Sequence, residues 1–284
     1  MRDTLASLVS QNFSQKQFEI IVADNGSRDQ TLDVAKDYKK KYPSLVDYVI
    51  ENQIQSSYAA RNKGVKVSKG SLISFVDADM TVKTDWLSKI VNSFNRDKDL
   101  SYLGCKVNIY SKKHSFASLY DILIGFPVEM NMNFEHYAPT CCLTVRRSVF
   151  DRIGFFDSRF KGGGDEEFGK RAWKNGIKMK YDSKIIMNHP ARENIFKLCK
   201  KSLRVGRSRA ETSSIFPDLF SHNIKRYLSI RPYLPHKLWK IKKRYKCGYS
   251  FNNMTVIRLS IFPSILQFVS VFPFILSKIK LLFK

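Results

Sequence analysis

The chain has 284 residues, of which 43% are hydrophobic, and a formal net charge of +24 at pH 7. A chain of this length buries one substantial core, or one domain of about two hundred residues plus an appendage. Its five cysteines are odd in number and show no CxxC spacing. This excludes a recognisable zinc site or disulfide framework and makes a reducing cytoplasm the expected compartment.

Short apolar runs alternate with amphipathic segments through the first two-thirds of the chain. In chain order these are FEIIVAD (strand), TLDVAKDYKKKYP (helix), VDYVI (strand), SYAARNKGVKV (helix), LISFVDAD (strand) and TDWLSKIVNSFN (helix). Continuous apolar runs separated by helices predict a mostly parallel sheet sandwiched by helices, so the expected fold class is α/β. Ligands of such sheets bind at the carboxyl ends of strands, where Asp24 and the run Asp77-Ala78-Asp79 lie.

A second block, from Tyr137 to Pro190, has a different pattern. It predicts a short strand, a helix, a glycine-rich loop, a helix from about Asp165 to Asn175 and a last strand leading into His189. Phe168 and Ala172 share one face of the predicted helix and are expected to pack on the core. The three acids that open this helix have a structural explanation, because carboxylates in a first turn favour the helix dipole and cap free N–H groups.

Asp77 and Asp79 are the pair of side chains on which we centre the chemistry. Two carboxylates one residue apart at the end of a buried strand are ready ligands for a divalent cation that holds a diphosphate. Asp-x-Asp also occurs by chance in many turns, because aspartate tolerates tight loop geometry. The neighbouring motifs therefore decide between a metal site and a simple turn.

Five motifs follow one another at predicted strand ends and loops: DNGSRDQT, AARNKG, VDADM, GGGDEEFGKR and NHP. Together they resemble the signature series of family 2 glycosyltransferases, over roughly Met1 to Pro190. The resemblance implies a GT-A fold and an inverting, metal-dependent hexosyltransferase that moves a single sugar from a nucleotide-diphosphate donor, with UDP preferred. The implied acceptor is a glycan or a lipid-linked sugar, as in cell-surface polysaccharide synthesis. The implied cofactor is Mn²⁺ or Mg²⁺, with no organic cofactor.

The resemblance also implies a donor site. In that site Asp24 accepts a hydrogen bond from the nucleotide base, Arg61 contacts the nucleotide, and Asp77 faces the ribose and the metal. Asp79 is chiefly a metal ligand, and His189 completes the metal site, although a histidine before a proline is also explained as a hydrogen-bonded loop residue. The same motifs imply further donor-binding positions at Asn25, Gly26, Asn62, Gly163 and Gly164.

Asp165 matches the general base of the family, and Glu166, in the same helical turn, is the alternative. An inverting transfer needs a carboxylate that takes the acceptor hydroxyl proton while the hydroxyl attacks the anomeric carbon opposite the diphosphate. The metal and the arginine would stabilise the leaving group. No QxxRW motif follows the base, which favours one sugar per encounter over processive synthesis.

The start of the chain departs from the family pattern, because Met1 falls where the first helix should begin and the usual first strand is missing. Residues 1–195 are therefore expected to form an N-terminally short catalytic domain. This departure motivates an alternative function, a catalytically weak or dead relative that binds nucleotide sugar or glycan as an assembly partner.

The rest of the chain divides into a basic helical extension, residues 196–250, and an apolar tail, residues 251–284. The extension carries fifteen Lys or Arg against two acids, a surplus that attracts polyanions. No nucleic-acid-reading motif is present, so we expect an anionic membrane surface as partner and no nucleic acid. Eighteen uncharged residues, 259–276, contain two prolines and predict an interfacial anchor more than a clean span, with a buried helix as the alternative. The expected location is the cytoplasmic face of the cell membrane.

The anchor is predicted to rest on basic residues for lipid attraction and on apolar ones for insertion. The basic residues are Lys240, Lys242, Lys243 and Arg244, and the apolar ones are Ile261, Phe262, Leu266, Phe268, Phe272 and Phe274.

Overall fold

The computed structural model of the protein describes residues 1–113, 115–220 and 253–282. The chain forms two compact units: unit 1 combines residues 1–108 with 127–190, and unit 2 combines residues 109–126 with 191–284. The predicted functional division at residues 195 and 250 stays a prediction. Residues 221–250 of the predicted basic extension, with its four named cations, lie outside the described residues.

Helices and strands alternate along unit 1 much as the hydrophobic pattern predicts. The helices are α1 (Arg2–Val9), α2 (Thr31–Lys41), α3 (Ser57–Val67), α4 (Trp86–Arg96), the short α6 (Val128–Met130), α7 (Arg147–Ile153) and α8 (Gly164–Lys174). The strands are β1 (Ile20–Asp24), β2 (Val46–Ile50), β3 (Leu72–Ser74), β4 (Thr81–Val82), β5 (Tyr102–Tyr110), β6 (Leu143–Arg146) and β7 (Met179–Pro190).

The strands form two sheets whose directions correct part of the prediction. β1 and β2 pair in parallel, whereas a five-stranded sheet has the order β3-β6-β5-β7-β4. In that sheet the pairs β3–β6, β5–β6 and β4–β7 are antiparallel, so the expectation of a mostly parallel sheet is wrong and the sheet is mixed. The α/β class itself is confirmed. Continuous apolar runs reflect cover on both faces of a strand, which does not depend on the direction of its partner.

An apolar layer holds β1 and β2 against the helices α1 and α2. Alternate residues of β1, Ile20 and Val22, are buried, and they meet Leu5 of α1 together with Val34 and Ala35 of α2. The helical spacing of α2 places its apolar residues on one face, and Lys39, Lys40 and Lys41 occupy its last turn, where cations favour the helix dipole. This packing places the carboxyl end of β1 at the edge where Asp24 lies.

A cluster of aromatic rings underlies helix α8. Phe156 lies 4.4 Å from Phe168 and 5.8 Å from Tyr58, measured between ring centroids, and Phe150 stacks on Phe168 at 5.3 Å. Phe168 and Ala172 are fully buried, which confirms the predicted core face of this helix. Because Tyr58 belongs to α3, the cluster fixes the first turn of α8 against α3.

Unit 2 contains α5 (Phe116–Ile124), α9 (Ile195–Ile215) and α10 (Asn253–Leu282). Leu198 of α9 packs with Leu266 of α10, and Ala210 packs with Val271 further along, so the two helices run side by side in the same direction. The buried Asp121 of α5 accepts from the backbone N–H and the guanidinium of Arg192, at 2.9 Å and 3.0 Å.

Helix α10 is continuous through Pro263 and Pro273, so these prolines do not interrupt it. Each proline still removes one backbone donor from the helix. Leu266 is buried, and Phe262 packs edge-on against Phe116 and Tyr120, so these two side chains are not available for lipid insertion as predicted. Within the ranges that the structure describes, no helix is both long enough and apolar enough to cross a bilayer.

Candidate active site

Asp24 ends β1 and organises the turn that follows it. Its carboxylate is buried and accepts the backbone N–H of Gly26 at 2.9 Å and of Ser27 at 3.1 Å. Gly26 has φ +75°, a conformation that residues with a side chain rarely adopt. The Asn25 side chain donates to the carbonyls of Glu51 and Ile54, at 2.8 Å and 2.9 Å. The carboxylate therefore has a structural function in this turn besides the predicted contact with a nucleotide base.

Asp77 and Asp79 lie in a tight turn just beyond β3. Regular pairing ends at Ser74, and the backbone N–H of Met80 donates to the Asp77 carbonyl at 3.0 Å, which closes the turn. The buried Thr4 hydroxyl of α1 donates to the Ala78 carbonyl at 2.8 Å. The Asp77 and Asp79 side chains are 42% and 60% exposed, so both carboxylates are accessible to a ligand.

Arg61 of α3 lies between the Asp77 turn and Tyr58, whose hydroxyl contacts the first turn of α8. Its Nη2 lies 3.0 Å from Asp77 Oδ1, and its Nη1 donates to the Ser57 hydroxyl at 3.0 Å. The guanidinium also covers the Tyr58 ring at 5.4 Å, and its charge opposes the rise in the pKa of Asp165 that burial causes. Asp77 and Ser57 thus hold the Arg61 guanidinium in place. Its planar array of N–H donors suits phosphate oxygens.

His189, at the end of β7, faces Asp79, with Nε2 lying 3.9 Å from Asp79 Oδ2. The imidazole is buried, and its Nδ1 lies 2.6 Å from the Pro190 carbonyl oxygen. A carbonyl at this distance favours the tautomer with the proton on Nδ1, in which Nε2 has the lone pair that a metal ligand needs.

The donor set fits a divalent cation. Among the residues that the structure describes, no group of three or more His, Cys, Asp or Glu side chains is assembled as a metal site. Asp79 and His189 form a pair, while Asp77 faces Arg61. A carboxylate suits Mn²⁺ or Mg²⁺ when diphosphate oxygens and water supply the other ligands, and the imidazole nitrogen suits Mn²⁺ better than Mg²⁺.

Asp165 lies in the first turn of α8 against the buried hydroxyl of Tyr58. The Tyr58 hydroxyl donates to Asp165 Oδ1 at 3.3 Å and accepts the Asp165 backbone N–H at the same distance. Burial raises the pKa of Asp165 above its ordinary value, against the lowering effects of Arg61 and of the Glu166 backbone N–H. Burial also raises the pKa of Tyr58, with Asp165 adding to the effect, so this hydroxyl keeps its proton and remains a donor.

The two glutamates that follow Asp165 are both committed to ion pairs. Glu166 Oε1 lies 2.6 Å from Lys170 Nζ, one turn along the helix. Glu167 is 1% exposed and binds Arg171 through both oxygens, at 2.6 Å and 2.9 Å. Of the three acids, Asp165 accepts its hydrogen bonds from the Tyr58 hydroxyl and the Glu166 backbone N–H.

Three of the predicted donor-binding positions have structural functions in unit 1. The Asn62 side chain donates to the Phe156 carbonyl at 2.8 Å and accepts the Phe156 N–H at 3.1 Å, which ties α3 to the loop before α8. Gly163 precedes α8 with φ +81°. Gly164 packs on Tyr58, and a Cβ at this position would lie 2.9 Å from two ring carbons.

Thr4 and Tyr58 were not predicted as site residues. Thr4 fixes the turn that contains the two aspartates, and Tyr58 fixes Asp165. The contact between Tyr58 and Asp165 joins positions 107 residues apart. The one sequence feature that marks Tyr58 is its position on the apolar face of the helix that contains AARNKG.

The fold is that of the GT-A-like glycosyltransferases. Residues 1–154 match the profile described as Glycosyl transferase family 2. The glycosyltransferase AglE of Haloferax volcanii is 31% identical over 208 residues, which cover 73% of this chain and 67% of AglE. The chain therefore belongs to glycosyltransferase family 2, and it is an enzyme that uses a nucleotide-sugar donor.

Other relatives are matched over different shares of their own length. The hyaluronan synthase of Pasteurella multocida is 28% identical over 67% of this chain but only 23% of its own length. A Methanococcus voltae relative, named dolichyl N-acetyl-alpha-D-glucosaminyl phosphate 3-beta-D-2,3-diacetamido-2,3-dideoxy-beta-D-glucuronosyltransferase, is 23% identical over 72% of this chain and 67% of its own.

Solved structures show the same fold at low sequence identity. The mannosyltransferase PcManGT from Pyrobaculum calidifontis, in complex with GDP-Man and Mn²⁺, superposes with a TM-score of 0.66 at 13% identity, over 97% of this chain and 83% of that one. S. aureus TarS 1-349 in complex with UDP superposes with a TM-score of 0.53 at 16% identity, over 98% and 86%.

Proposed function

We propose that this glycosyltransferase is inverting and metal-dependent, and that it adds a single sugar per encounter to a glycan or a lipid-linked acceptor. Asp165 is the general base, and Asp79 and His189 hold the cation. Arg61, Asp77 and the turn at Asp24 bind the nucleotide-diphosphate donor.

The observation that carries this proposal is the chain of contacts around Arg61. Arg61 lies 3.0 Å from Asp77 and affects the ionisation of Asp165, while Asp79, in the same turn as Asp77, faces His189. A cation site, a phosphate-binding guanidinium and a carboxylate with a raised pKa thus lie along one set of contacts within unit 1. An inverting sugar transfer requires these three groups together.

Different side chains act on the nucleophile and on the leaving group. Asp165 takes the acceptor hydroxyl proton, and its raised pKa brings it closer to the pH at which it must both accept and later release that proton. Tyr58 holds the carboxylate in position. Arg61 stabilises negative charge on the departing nucleotide diphosphate. A bound divalent cation would supply further charge neutralisation there.

The names of the relatives support the acceptor class and the cation. The Methanococcus voltae relative is named for a dolichyl-phosphate-linked sugar, and PcManGT was crystallised with Mn²⁺. UDP remains our preferred donor nucleotide, although the neighbouring structures contain both GDP-Man and UDP. A lipid-linked acceptor also agrees with action at the cytoplasmic face of the cell membrane, which we propose as the location.

The test combines donor turnover with donor binding. Purified protein with Mn²⁺ is given a panel of nucleotide sugars, and released nucleotide diphosphate is measured with and without chelator. We expect release from at least one donor, its loss in chelator and its return with added Mn²⁺ or Mg²⁺. Full release in excess chelator would contradict the metal proposal, and no release from any donor would favour the weak or dead relative.

A binding measurement separates the metal site from catalysis. Calorimetric titration with UDP should show tighter binding in Mn²⁺ than in chelator, and Asp79→Ala should remove that difference. Asp85→Ala is the matched control, because Asp85 is an equally accessible aspartate that pairs with Lys89 outside the site. Metal-dependent binding that survives in Asp79→Ala would move the cation to other ligands.

A further inference from the structure

The exposed face of α10, in unit 2, consists of large apolar side chains. Ile261, Ile265, Phe268, Phe272 and Leu276 are between 42% and 68% exposed. Their spacing of three or four residues places them on one stripe of the helix. We call these five residues the outer stripe.

The face of α10 that packs inside unit 2 mixes apolar and polar side chains, because Leu266 and Val271 are buried as well. Ser264 and Ser270 are buried, at 8% and 6% exposed, and the Ser270 hydroxyl donates to the Gln267 carbonyl at 2.7 Å. Gln267 and Ser270 also line a cavity of about 190 Å³ together with polar residues of α9. Those α9 residues are Lys201, Ser202 and Arg209.

The outer side of α10 therefore differs from that of a helix on a water-soluble surface. A surface helix in water turns its apolar stripe to the core and its polar residues outward. In α10 large apolar side chains face outward as well as inward, and serines are among the residues that are buried. A contiguous exposed apolar patch of this kind marks a contact with another apolar phase.

The length of the outer stripe indicates how such a contact would lie. From Ile261 to Leu276 an α-helix rises about 22 Å, at 1.5 Å per residue. An exposed apolar stripe along one side of a helix, whose other side packs on the protein, suits a helix that lies in the plane of a membrane interface.

Charge identifies the apolar phase as an anionic bilayer in preference to a second protein surface. After Asp218 the sequence contains thirteen Lys or Arg and no Asp or Glu. Arg258 is exposed one turn before the stripe, and Lys278 and Lys280 follow it in sequence. Cations at both ends of an apolar stripe complement lipid phosphates on either side of an inserted helix.

We propose that the outer stripe is a membrane-docking face, which inserts into the headgroup and acyl boundary of an anionic bilayer with α10 parallel to the surface. The inference rests on the membrane location in the proposed function and names the residues that produce it. It assigns insertion to Ile265 and Phe268 and excludes the inward-facing Leu266.

Vesicle co-sedimentation of the whole protein tests the proposal. The probes are phosphatidylcholine vesicles with and without phosphatidylglycerol, and the variant is Phe268→Ser/Phe272→Ser. We expect the wild type to bind the anionic vesicles more tightly than the neutral ones, and the double variant to lose at least tenfold in affinity. Phe134→Ser is the matched control, because Phe134 of unit 1 is 75% exposed and lies outside the stripe.

Measurements of stability, oligomeric state and nucleotide release distinguish membrane docking from other effects of the double variant. Circular dichroism melts should be the same for the double variant and the wild type, because both side chains face outward. Equal vesicle binding by both proteins would overturn the proposal. A wild-type dimer in light scattering that is absent from the double variant would also overturn it, because the stripe would then be a contact between two copies. Nucleotide release without vesicles should be unchanged in the double variant, so a failure of catalysis and a failure of docking are separately visible.

Discussion

Helices α8 and α10 both bury apolar side chains but differ in what they expose. α8, in unit 1, buries Phe168 and Ala172, and its buried Glu167 is neutralised by Arg171. α10, in unit 2, buries Leu266 and Val271 and exposes a row of large apolar residues. The first pattern is that of a helix with water on its outer side, and the second is that of a helix with an apolar phase there.

The difference shows that hydropathy alone does not say which face of a helix is buried. In α8 the apolar spacing predicted the core face correctly, because the neighbours of that face are aromatic rings. In α10 the same reasoning selected Leu266 and Phe268 together, although one faces inward and the other outward. Substitutions around the first turn of α8 and on the two faces of α10 therefore test different properties: catalysis and stability in unit 1, and burial in unit 2.

The largest effect is expected at the first turn of α8. Asp165→Asn should lower turnover by about a hundredfold or more and leave donor binding nearly intact, since it removes the proton acceptor and keeps the shape of the side chain. Glu166→Gln is the matched control and should cost less than tenfold, because Lys170 already occupies that carboxylate. Steady-state rates and donor titrations of both variants provide the comparison. A greater loss in Glu166→Gln would assign the base to Glu166.

The buried ion pair of α8 should control stability more than rate. Glu167→Gln is expected to lower the free energy of unfolding by about 3 kcal/mol, because it leaves Arg171 partly buried without its counter-ion. Thermal melts measure the change. Asp85→Asn, which breaks the exposed pair with Lys89, should leave the melting temperature nearly unchanged. Similar melting temperatures for wild type and Glu167→Gln would show that α8 does not depend on this pair.

A pair of substitutions in α10 compares its inner and outer faces in water. Leu266→Ala should destabilise unit 2 by about 2 kcal/mol, at the lower end for a core leucine because the cavity beside it already reduces its contacts. Phe268→Ala should change stability by less than about 0.5 kcal/mol, because this side chain is exposed. Denaturant unfolding, followed by circular dichroism without lipid, distinguishes the two. Equal losses would mean that Phe268 is covered.

The smallest effect is expected from the long hydrogen bond between Tyr58 and Asp165. Tyr58→Phe removes a donor that favours the carboxylate, so the pKa of Asp165, already raised by burial, should rise further. The working base is the carboxylate, so turnover falls as the pH drops through this pKa. We therefore expect the acid limb of the rate profile to move to higher pH, with a loss of maximal turnover of about fivefold. An unmoved acid limb would show that Tyr58 does not influence the ionisation of the base.

Local periodicity and caps were enough to predict most helices. α3 begins and ends at the residues that its pattern indicates, and Ser56 caps it through the Tyr58 N–H. The run LISFVDAD was less informative, because its strand ends at Ser74 where the partner strand β6 begins at Leu143. Where a strand ends depends on the length of its partner, which local residues do not encode.

The motif residues of the site could be predicted from the sequence, but the residues that hold them in place could not. Asp77, Asp79, Asp165 and His189 were found because the spacing of polar groups at strand ends has a chemical meaning. Thr4 was not, since a threonine in an opening helix has no local feature that indicates a bond to the Ala78 carbonyl, 74 residues away. Supports of this kind arise from tertiary packing alone.

The absence of a side chain at Gly164 couples two distant positions of the chain. A Cβ there would lie 2.9 Å from ring carbons of Tyr58, too close for both residues to keep their places. A variant library that changes acceptor choice through the glycine loop must therefore vary position 58 at the same time. Alanine at 164 should be recovered with residues smaller than tyrosine at 58, and selection for activity would then show covariation between the two positions.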